Sequence, residues 1–265
     1  MTSPTWDPAL YLGFSDERAR PFADLVGRIT VPSPGRVVDL GCGPGNVTVT
    51  LLDRWPNASV LGIDSSPEMI GRAVELTRPG LEFRPGQIET WRPEEPVDVI
   101  VSNAVLQWVP SHVDLLPRWV EALTPGGALA FQVPANSEGA AARVFRTVAT
   151  GPRFADRLAA VAASAGPSAA GGVVRPAGEY VDLLARLDCR VDAWATTYQH
   201  VLPGDDPVLD WYAGTGLRPY LQALEPERRE EFRAEVAAEL RAAFPRQPYG
   251  TLLPFNRTFV IAYRR

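Results

Sequence analysis

Residues 37–46 read VVDLGCGPGN, a spacing of Gly41, Gly43 and Gly45 that lets bare backbone approach a ligand. The apolar run Arg36–Leu40 before them reads as a buried strand. Val47–Trp55 after them is predicted to begin a helix, with Asn46 as its cap. Strand, tight turn and helix would aim N–H groups at a bound group. A dinucleotide fingerprint, G-x-G-x-x-G, needs glycine at its sixth position, where this chain has Asn46. Asp64 follows a second apolar run, SVLGI, and a carboxylate there can accept both hydroxyls of a ribose. The plainer alternative makes Asp64 or Ser65 the cap of the next helix. Gly86-Gln87-Ile88, after a third run, can offer an amide and an apolar contact to an adenine. Ser102-Asn103-Ala104 ends a fourth run beside the same crevice. Each signal is weak alone, but together they fall after successive strands.

The elements that must position these residues alternate. Predicted strands are Arg36–Leu40, Ser59–Ile63, Leu81–Arg84, Val97–Ser102 and Gly127–Val133; helices are Arg18–Ile29, Pro67–Thr77 and Leu115–Leu123. Such alternation implies right-handed crossovers and an α/β, doubly wound, mostly parallel sheet. The second half changes character. Asn136–Gly172 is alanine-rich and helical with a break at Ala165–Gly172, Pro176–Leu187 is a helix, and Asp205–Phe244 is a helical insertion. Cys189–Leu202 and Arg257–Arg264 are strands. The expected organisation is a single domain over 1–265 with a seven-stranded sheet. Its parts are a cofactor-binding core at 30–134, closing strands at 189–202 and 255–264, and insertions at 135–188 and 203–250. The insertions are expected to form a helical cap over the carboxyl ends of the strands, where open α/β sheets bind ligands.

Composition narrows the partners. The formal charge is −5, which argues against a broad nucleic-acid surface. All 26 basic residues are arginine, so an anion must be held by arginine, histidine, hydroxyls or amides. No apolar run reaches the ~20 residues of a membrane helix, and MTSPTWDPALY lacks a secretory pattern. A cytoplasmic protein is expected, as a monomer or homodimer. Cys42 and Cys189 lie far apart in sequence, so no disulfide framework is indicated, and the two histidines show no metal-ligand spacing.

The succession VVDLGCGPGN, GIDSSPEMI, GQIETW, VIVSNAVLQWVP and LTPGGALAFQVP resembles the class I S-adenosylmethionine-dependent methyltransferases. WDPALYLGFSDERARP, SNAVLQWVP, WATTYQH, LDWYAGTGLRP and LLPFNRTFVIAYR extend the resemblance to the trans-aconitate 2-methyltransferase family, across essentially the whole chain. The resemblance implies a Rossmann-like fold and the cofactor S-adenosyl-L-methionine, leaving as S-adenosyl-L-homocysteine. A nucleoside with an amino-acid tail has no pyrophosphate to wrap, which accounts for the missing sixth glycine. The implied cofactor set is Tyr11, Arg20, Gly41, Cys42, Gly43, Asp64, Ser65, Met69, Gln87, Ile88, Asn103 and Ala104. Asp64 would hold the ribose, Gln87 and Ile88 would flank the adenine, and Tyr11 would either cover the cofactor as a lid or belong to the core. Many relatives have Asp in place of Gln87, whose amide oxygen can still accept from the adenine amino group.

The implied reaction is methyl-ester formation on a carboxylate of a small polycarboxylic acid. A carboxylate is already ionised at neutral pH, so no acid or base is required. Gln107, Trp108 and His200 are expected to position the acceptor. Arg18, Asn136, Tyr198, Trp211, Arg218 and Arg257 are expected to bind it, with Arg20 a further cation for a second carboxylate. Two other readings stay open: methyl transfer to a different carboxylate, hydroxyl or amine, and a non-catalytic cofactor-binding scaffold.

Overall fold

A computed structural model describes residues 15–164 and 174–265. Tyr11 and the break at 165–172 therefore lie outside the described residues, as does the side chain of Arg18. The chain divides into two compact units. The first comprises 1–133, 175–195 and 258–265; the second comprises 134–174 and 196–257.

The first unit is built on the predicted sheet. β1 (Arg36–Leu40), β2 (Ser59–Asp64), β3 (Leu81–Pro85), β4 (Val97–Asn103) and β5 (Leu123–Pro134) pair in parallel in the order β3-β2-β1-β4-β5. β8 (Gly250–Arg264) and then β6 (Cys189–Leu202) complete the order. Val37 is in register with Val60 on one side and Val99 on the other, and all three are buried. Continuous apolar strands of this kind are what a sheet covered on both faces demands. β1 has β2 on one side and β4 on the other, so the crevice at its carboxyl end is the topological switch point. Arg265 N–H donates to Asp188 O at 3.3 Å, and the Thr197 hydroxyl donates to Asn256 Oδ1 at 2.6 Å. These contacts run in opposite sequence order, so β6 and β8 are antiparallel. A two-residue strand, β7 (Arg246–Gln247), pairs with the start of β8, which makes eight strands among the described residues where seven were expected.

The second unit contains the helices Ala140–Thr150, Ala155–Ser164, Pro207–Ala213, Arg218–Gln222 and Pro226–Ala243. Its core is aromatic: Phe154 meets Phe232 edge-on at 5.1 Å, and Phe145 meets Tyr212 edge-on at 5.2 Å. Salt bridges from Arg153 to Glu231 and Glu235, and from Arg228 to Asp156, join these helices at the surface.

Three local expectations are corrected. Asn46 caps nothing: a 3-10 turn at Thr48–Thr50 starts from Val47 without a side-chain cap, followed by one α-turn, Leu51–Arg54. The Thr48 hydroxyl is instead donated to Asp39, and the β-branched VTVT run favours a tight turn over a long helix. β8 starts at Gly250, well ahead of the predicted Arg257. Pro254 is an exposed position in an alternation that buries Thr251, Leu253, Phe255 and Arg257. The helix Ala177–Ala185 belongs to the first unit rather than to a helical insertion.

That helix is held by a buried polar contact. His112 Nδ1 meets Val109 O at 3.0 Å and Nε2 meets the Tyr180 hydroxyl at 2.9 Å. A carbonyl can only accept, so Nδ1 carries the proton and Nε2 accepts from Tyr180. The Tyr180 oxygen in turn accepts from Arg175 N–H at 3.3 Å, and its ring packs edge-on against Phe131. Burial holds the His112 imidazole below its ordinary pKa, favouring the neutral form in the folded state. The resulting stabilisation is complete above the unfolded value of about 6.5 and declines as pH falls below it. Tyr180→Phe removes the hydroxyl from both partners and is expected to cost about 1–3 kcal/mol in urea unfolding at pH 8. An unchanged midpoint there would deny the contact any structural weight.

Candidate functional site

In the first unit the glycine loop is pinned by two carboxyl groups. The Thr48 hydroxyl donates to Asp39 Oδ2 at 2.6 Å, tying the far end of the loop to the strand that leads into it. Gly43 N–H donates to Asp64 Oδ2 at 2.9 Å, and Ser66 N–H donates to Asp64 Oδ1 at 2.9 Å. Gly41 has φ +80°, and a Cβ there would fall 2.2 Å from Val105 Cγ2. Gly45 has φ +80° and lies against the Phe83 ring. Gly43 has φ +56°, and a Cβ there would enter open space. The loop thus has packed flanks and an open centre, the form needed to receive a ligand on its backbone.

The helix after β2 is capped by Ser66, whose Oγ accepts from Met69 N–H at 3.3 Å, with Pro67 in the first turn. The capping alternative for Asp64 and Ser65 is thereby displaced. Asp64 is half-buried, and burial raises its pKa against the lowering effect of the Ser66, Gly43 and Ser65 amides. Each carboxylate oxygen retains acceptor capacity, so two ribose hydroxyls remain chemically suitable partners.

Asp39 is a site residue that the motif reading passed over. It is 2% exposed in the middle of an apolar strand. Burial, with a smaller contribution from Asp64, pushes its pKa up to about 7, and the Thr48 bond restrains the rise. Its signal in the sequence was one acid inside VVDL, where an ordinary buried strand would be apolar. Arg118 was also passed over. Its Nη2 donates to Glu89 O at 2.6 Å and Ile88 O at 3.2 Å, fixing the backbone just after Gln87. Nothing in the helical pattern of LLPRWVEAL announces that role.

The other cofactor candidates of this unit are placed as follows. Cys42, Met69 and Ile88 are buried; Ser65 and Gln87 are exposed; Asn103 and Ala104 are half-buried at the end of β4. Ala104 has φ +56°, a conformation uncommon for a residue with a Cβ. Arg20 is exposed on the helix Ser15–Gly27. Gln107 and Trp108 occupy a 3-10 turn, Leu106–Trp108, directly after β4.

The second unit brings Tyr198, His200, Trp211 and Arg257 to one aromatic cluster. Tyr198 and His200 stack on the same face of β6, with centroids 6.0 Å apart and planes 8° apart. His200 is 2% exposed and its ring lies 4.6 Å from Trp211 and 6.1 Å from Phe255. The Arg257 guanidinium, 4% exposed, lies 5.0 Å from the Phe255 ring centre. Burial pushes the Tyr212 hydroxyl up, and Arg257 opposes that shift, so cation and phenol feel each other. Arg218 is half-buried and desolvation lowers its pKa. Arg146 joins this set without having been predicted: its Nη1 donates to Ser137 O at 2.8 Å, and its charge offsets part of a rise that takes Tyr220 to about 12. Asn136 is engaged differently from the substrate-binding expectation. Its amide brackets the Asn256 backbone, donating to Asn256 O and accepting from Asn256 N–H, each at 2.8 Å.

Among the described residues, no group of three or more His, Cys, Asp or Glu side chains could hold a metal ion. Among them also, no helix is long and apolar enough to cross a membrane.

Residues 14–164 match the family described as Methyltransferase domain. The trans-aconitate 2-methyltransferase of Streptomyces coelicolor is 50% identical, with 98% of this chain and 87% of the relative covered. That of Methylobacterium nodulans is 47% identical over 98% of each chain, and that of Mycobacterium tuberculosis strain H37Ra is 43% identical over 97% and 96%. Among solved structures, an S-adenosylmethionine-dependent methyltransferase from Mesorhizobium loti has a TM-score of 0.54 at 21% identity, covering 94% of this chain and 99% of its own. Haemonchus contortus phosphoethanolamine N-methyltransferase 2, in complex with S-adenosyl-L-methionine, has a TM-score of 0.55 at 13% identity, covering 92% of this chain and 52% of its own. At those identities the two structures speak for the fold.

The buried Asp39 carboxyl sets a measurable cost. Its folded pKa, about 7, stands above the unfolded value of about 3.9, so the folded state binds the extra proton. Stability from this group is full below the unfolded value and is lost as pH rises through about 7. Asp39→Asn should therefore unfold later than the parent at pH 8, by roughly 2–4 kcal/mol, and nearly level with it at pH 4. A parallel pH dependence in parent and variant would remove Asp39 as the source.

Proposed function

We propose that this chain, which belongs to the trans-aconitate 2-methyltransferase family, transfers the methyl group of S-adenosyl-L-methionine to one carboxylate of trans-aconitate, giving a methyl ester. The carrying observation is that the likeness spans the whole chain, including the second unit with its buried arginine and aromatic cluster. A likeness confined to the glycine loop would support only a cofactor-binding fold.

The residues of the first unit fit the cofactor. The open centre of the loop at Gly43 accommodates a group against backbone, and Asp64 can accept the ribose hydroxyls. Arg118 holds the segment carrying Gln87 and Ile88, where the adenine would be received. Cys42 contributes bulk rather than reactivity, since burial raises its thiol pKa and keeps it protonated. The cofactor supplies an electrophilic methyl carbon on a sulfonium.

The protein has to align the acid with that carbon and exclude competing nucleophiles. A carboxylate with pKa near ~4 arrives ionised, so no side chain needs to take a proton. Arg257 and Arg218 are the cations assigned to the carboxylates that are not methylated. A guanidinium fork can make two parallel bonds to a carboxylate, and a desolvated setting strengthens both. Trp211, Tyr198 and His200 wall the cluster with flat surfaces suited to a planar unsaturated acid. Trp108, after β4, is assigned to the acceptor side. Arg18 remains assigned to substrate by resemblance alone. Arg20 is exposed on its helix.

The deciding experiment supplies labelled cofactor with trans-aconitate, dicarboxylates and monocarboxylates, and compares parent with Arg257→Gln and Arg218→Gln. The expected result is a tenfold to hundredfold higher KM for trans-aconitate, corresponding to ~1.5–3 kcal/mol per charge-assisted contact, with monocarboxylates little affected. The cofactor constant should not move. Since Arg257 is buried, its variant is compared with the parent by thermal melting, and half-buried Arg218 provides the independent case. Equal losses for all acids at both positions would overturn the polyanion assignment.

A further inference from the structure

The 3-10 turn that carries Gln107 and Trp108 ends on a carbonyl that is gripped twice. Gln107 Nε2 donates to Ala104 O at 2.6 Å at its start. Trp108 N–H donates to Val105 O at 2.8 Å, and Val109 N–H donates to Leu106 O at 3.1 Å. Val109 O then accepts from His112 N–H and from His112 Nδ1–H, each at 3.0 Å. One residue therefore uses both lone pairs of the carbonyl that closes the turn. Ser111, before the helix His112–Glu121, makes no side-chain cap bond. The imidazole ties that helix to the chain ahead of it instead.

The imidazole is itself held. His112 and Tyr180 are both fully buried, and the Tyr180 hydroxyl donates to Nε2 at 2.9 Å. Tyr180 is anchored in turn by Arg175 N–H and by the Phe131 ring on β5. A chain of contacts runs from β5 through Tyr180 and His112 to the last carbonyl of the turn. The neighbouring buried positions of the same helix, Leu115, Leu116, Trp119 and Val120, are apolar. Packing alone would be served by another apolar side chain at position 112, without the desolvation that a histidine suffers there. A buried polar network whose members are satisfied fixes one arrangement of the segments it joins.

We propose that His112 is a positioning residue for methyl transfer: clamped by Tyr180, it holds Val109 O and so fixes the orientation of Trp108. This rests on the assignment of Trp108 to the acceptor side and goes beyond it by naming what sets its aim. Displacements on the order of 1 Å spoil the alignment of nucleophile and carbon, so slack in this turn shows in turnover. The clamp needs the neutral imidazole, because a proton on Nε2 opposes the Tyr180 hydroxyl. Among the described residues Arg175 also disfavours the imidazolium, while Asp114 on the same helix favours it.

Steady-state kinetics with trans-aconitate at saturating cofactor, together with imidazole NMR, test the clamp. The chain has two histidines, so His200→Gln assigns the His112 signals. His112→Gln keeps an acceptor for Tyr180 but loses the donor to Val109, and should lower kcat about tenfold with cofactor affinity unchanged. His112→Asn keeps that donor and should restore most of the loss. The parent's kcat should fall as pH drops through the pKa that NMR gives His112, and His112→Asn should lack that limb. Tyr180→Phe, the second case should His112→Gln fail to fold, should raise the His112 pKa and carry the limb to higher pH. Leu184→Ala disturbs the Tyr180 helix without touching either bond, and should lower stability while leaving the kcat of the folded protein unchanged. Equal losses of kcat in Leu184→Ala and His112→Gln would make the contact merely structural and overturn the proposal. So would equal losses in His112→Gln and His112→Asn, or a limb that stays in place in every variant. Trp108→Ala separates this proposal from the reading beneath it. Lower turnover there with a normal His112→Gln would remove the clamp alone, whereas unchanged constants for the acid would remove the acceptor-side assignment and the clamp with it.

Discussion

The glycine loop can stand open only because carboxyl groups hold it at both sides. Asp39 is inside the sheet and takes the Thr48 hydroxyl, while Asp64 ends β2 and takes the Gly43 amide. Without these contacts, three glycines in five residues would leave the loop with more backbone freedom than one ligand could order cheaply. The parallel pairing of β1 with β2 sets both acids at adjoining strand ends, so the sheet register determines the loop's shape. The short turn from Thr48 to Arg54 follows from the same contact: a threonine drawn back to Asp39 cannot also begin a long regular helix.

Burying a carboxyl in an apolar strand is a poor choice for stability alone. Desolvation outweighs the hydroxyl bond at Asp39, as its upward shift in pKa shows, and the neighbouring Asp64 makes matters worse. Two acids converging on a loop that is open at its centre make sense if a positive group completes the arrangement. A cation with several donors satisfies that pair better than an anion would.

Much of this was legible because the features are local. A buried parallel strand reads as an apolar run, and β1 and β6 have the predicted bounds. The glycine loop was legible because positive φ and close packing at Gly41 and Gly45 demand glycine there, and Asp64 is the acid that accepts the loop's Gly43 amide. The failures have physical causes too. The start of β8 was missed, although Pro254 stands at an exposed position that an alternating strand tolerates. The Asn136 amide pairs with the Asn256 backbone, a contact between residues 120 positions apart that no pattern in residue order announces. Arg118 and Arg146 acquire their roles from carbonyls distant in sequence. That property has no signature in residue order.

The distribution of arginine gives the second unit its chemical character. The protein is acidic overall, so its net charge does not favour a polyanion at long range. Recognition must come from cations whose surroundings make short-range contacts count. Several arginines at the surface of this unit are joined to acids: Arg153 to Glu231 and Glu235, Arg228 to Asp156, Arg241 to Asp206, Arg246 to Asp205. Such exposed pairs are worth little individually and serve mainly to cover the helices. Arg257 is in another regime, buried against Phe255 and close enough to Tyr212 to shift its hydroxyl. A guanidinium is the cation best able to tolerate that setting, being weakly hydrated and planar, and lysine would lose more on burial. The same desolvation that makes Arg257 costly to bury makes a carboxylate in contact with it valuable. An acidic protein can therefore select a tricarboxylate through one or two well-placed guanidinium groups, without a positive surface.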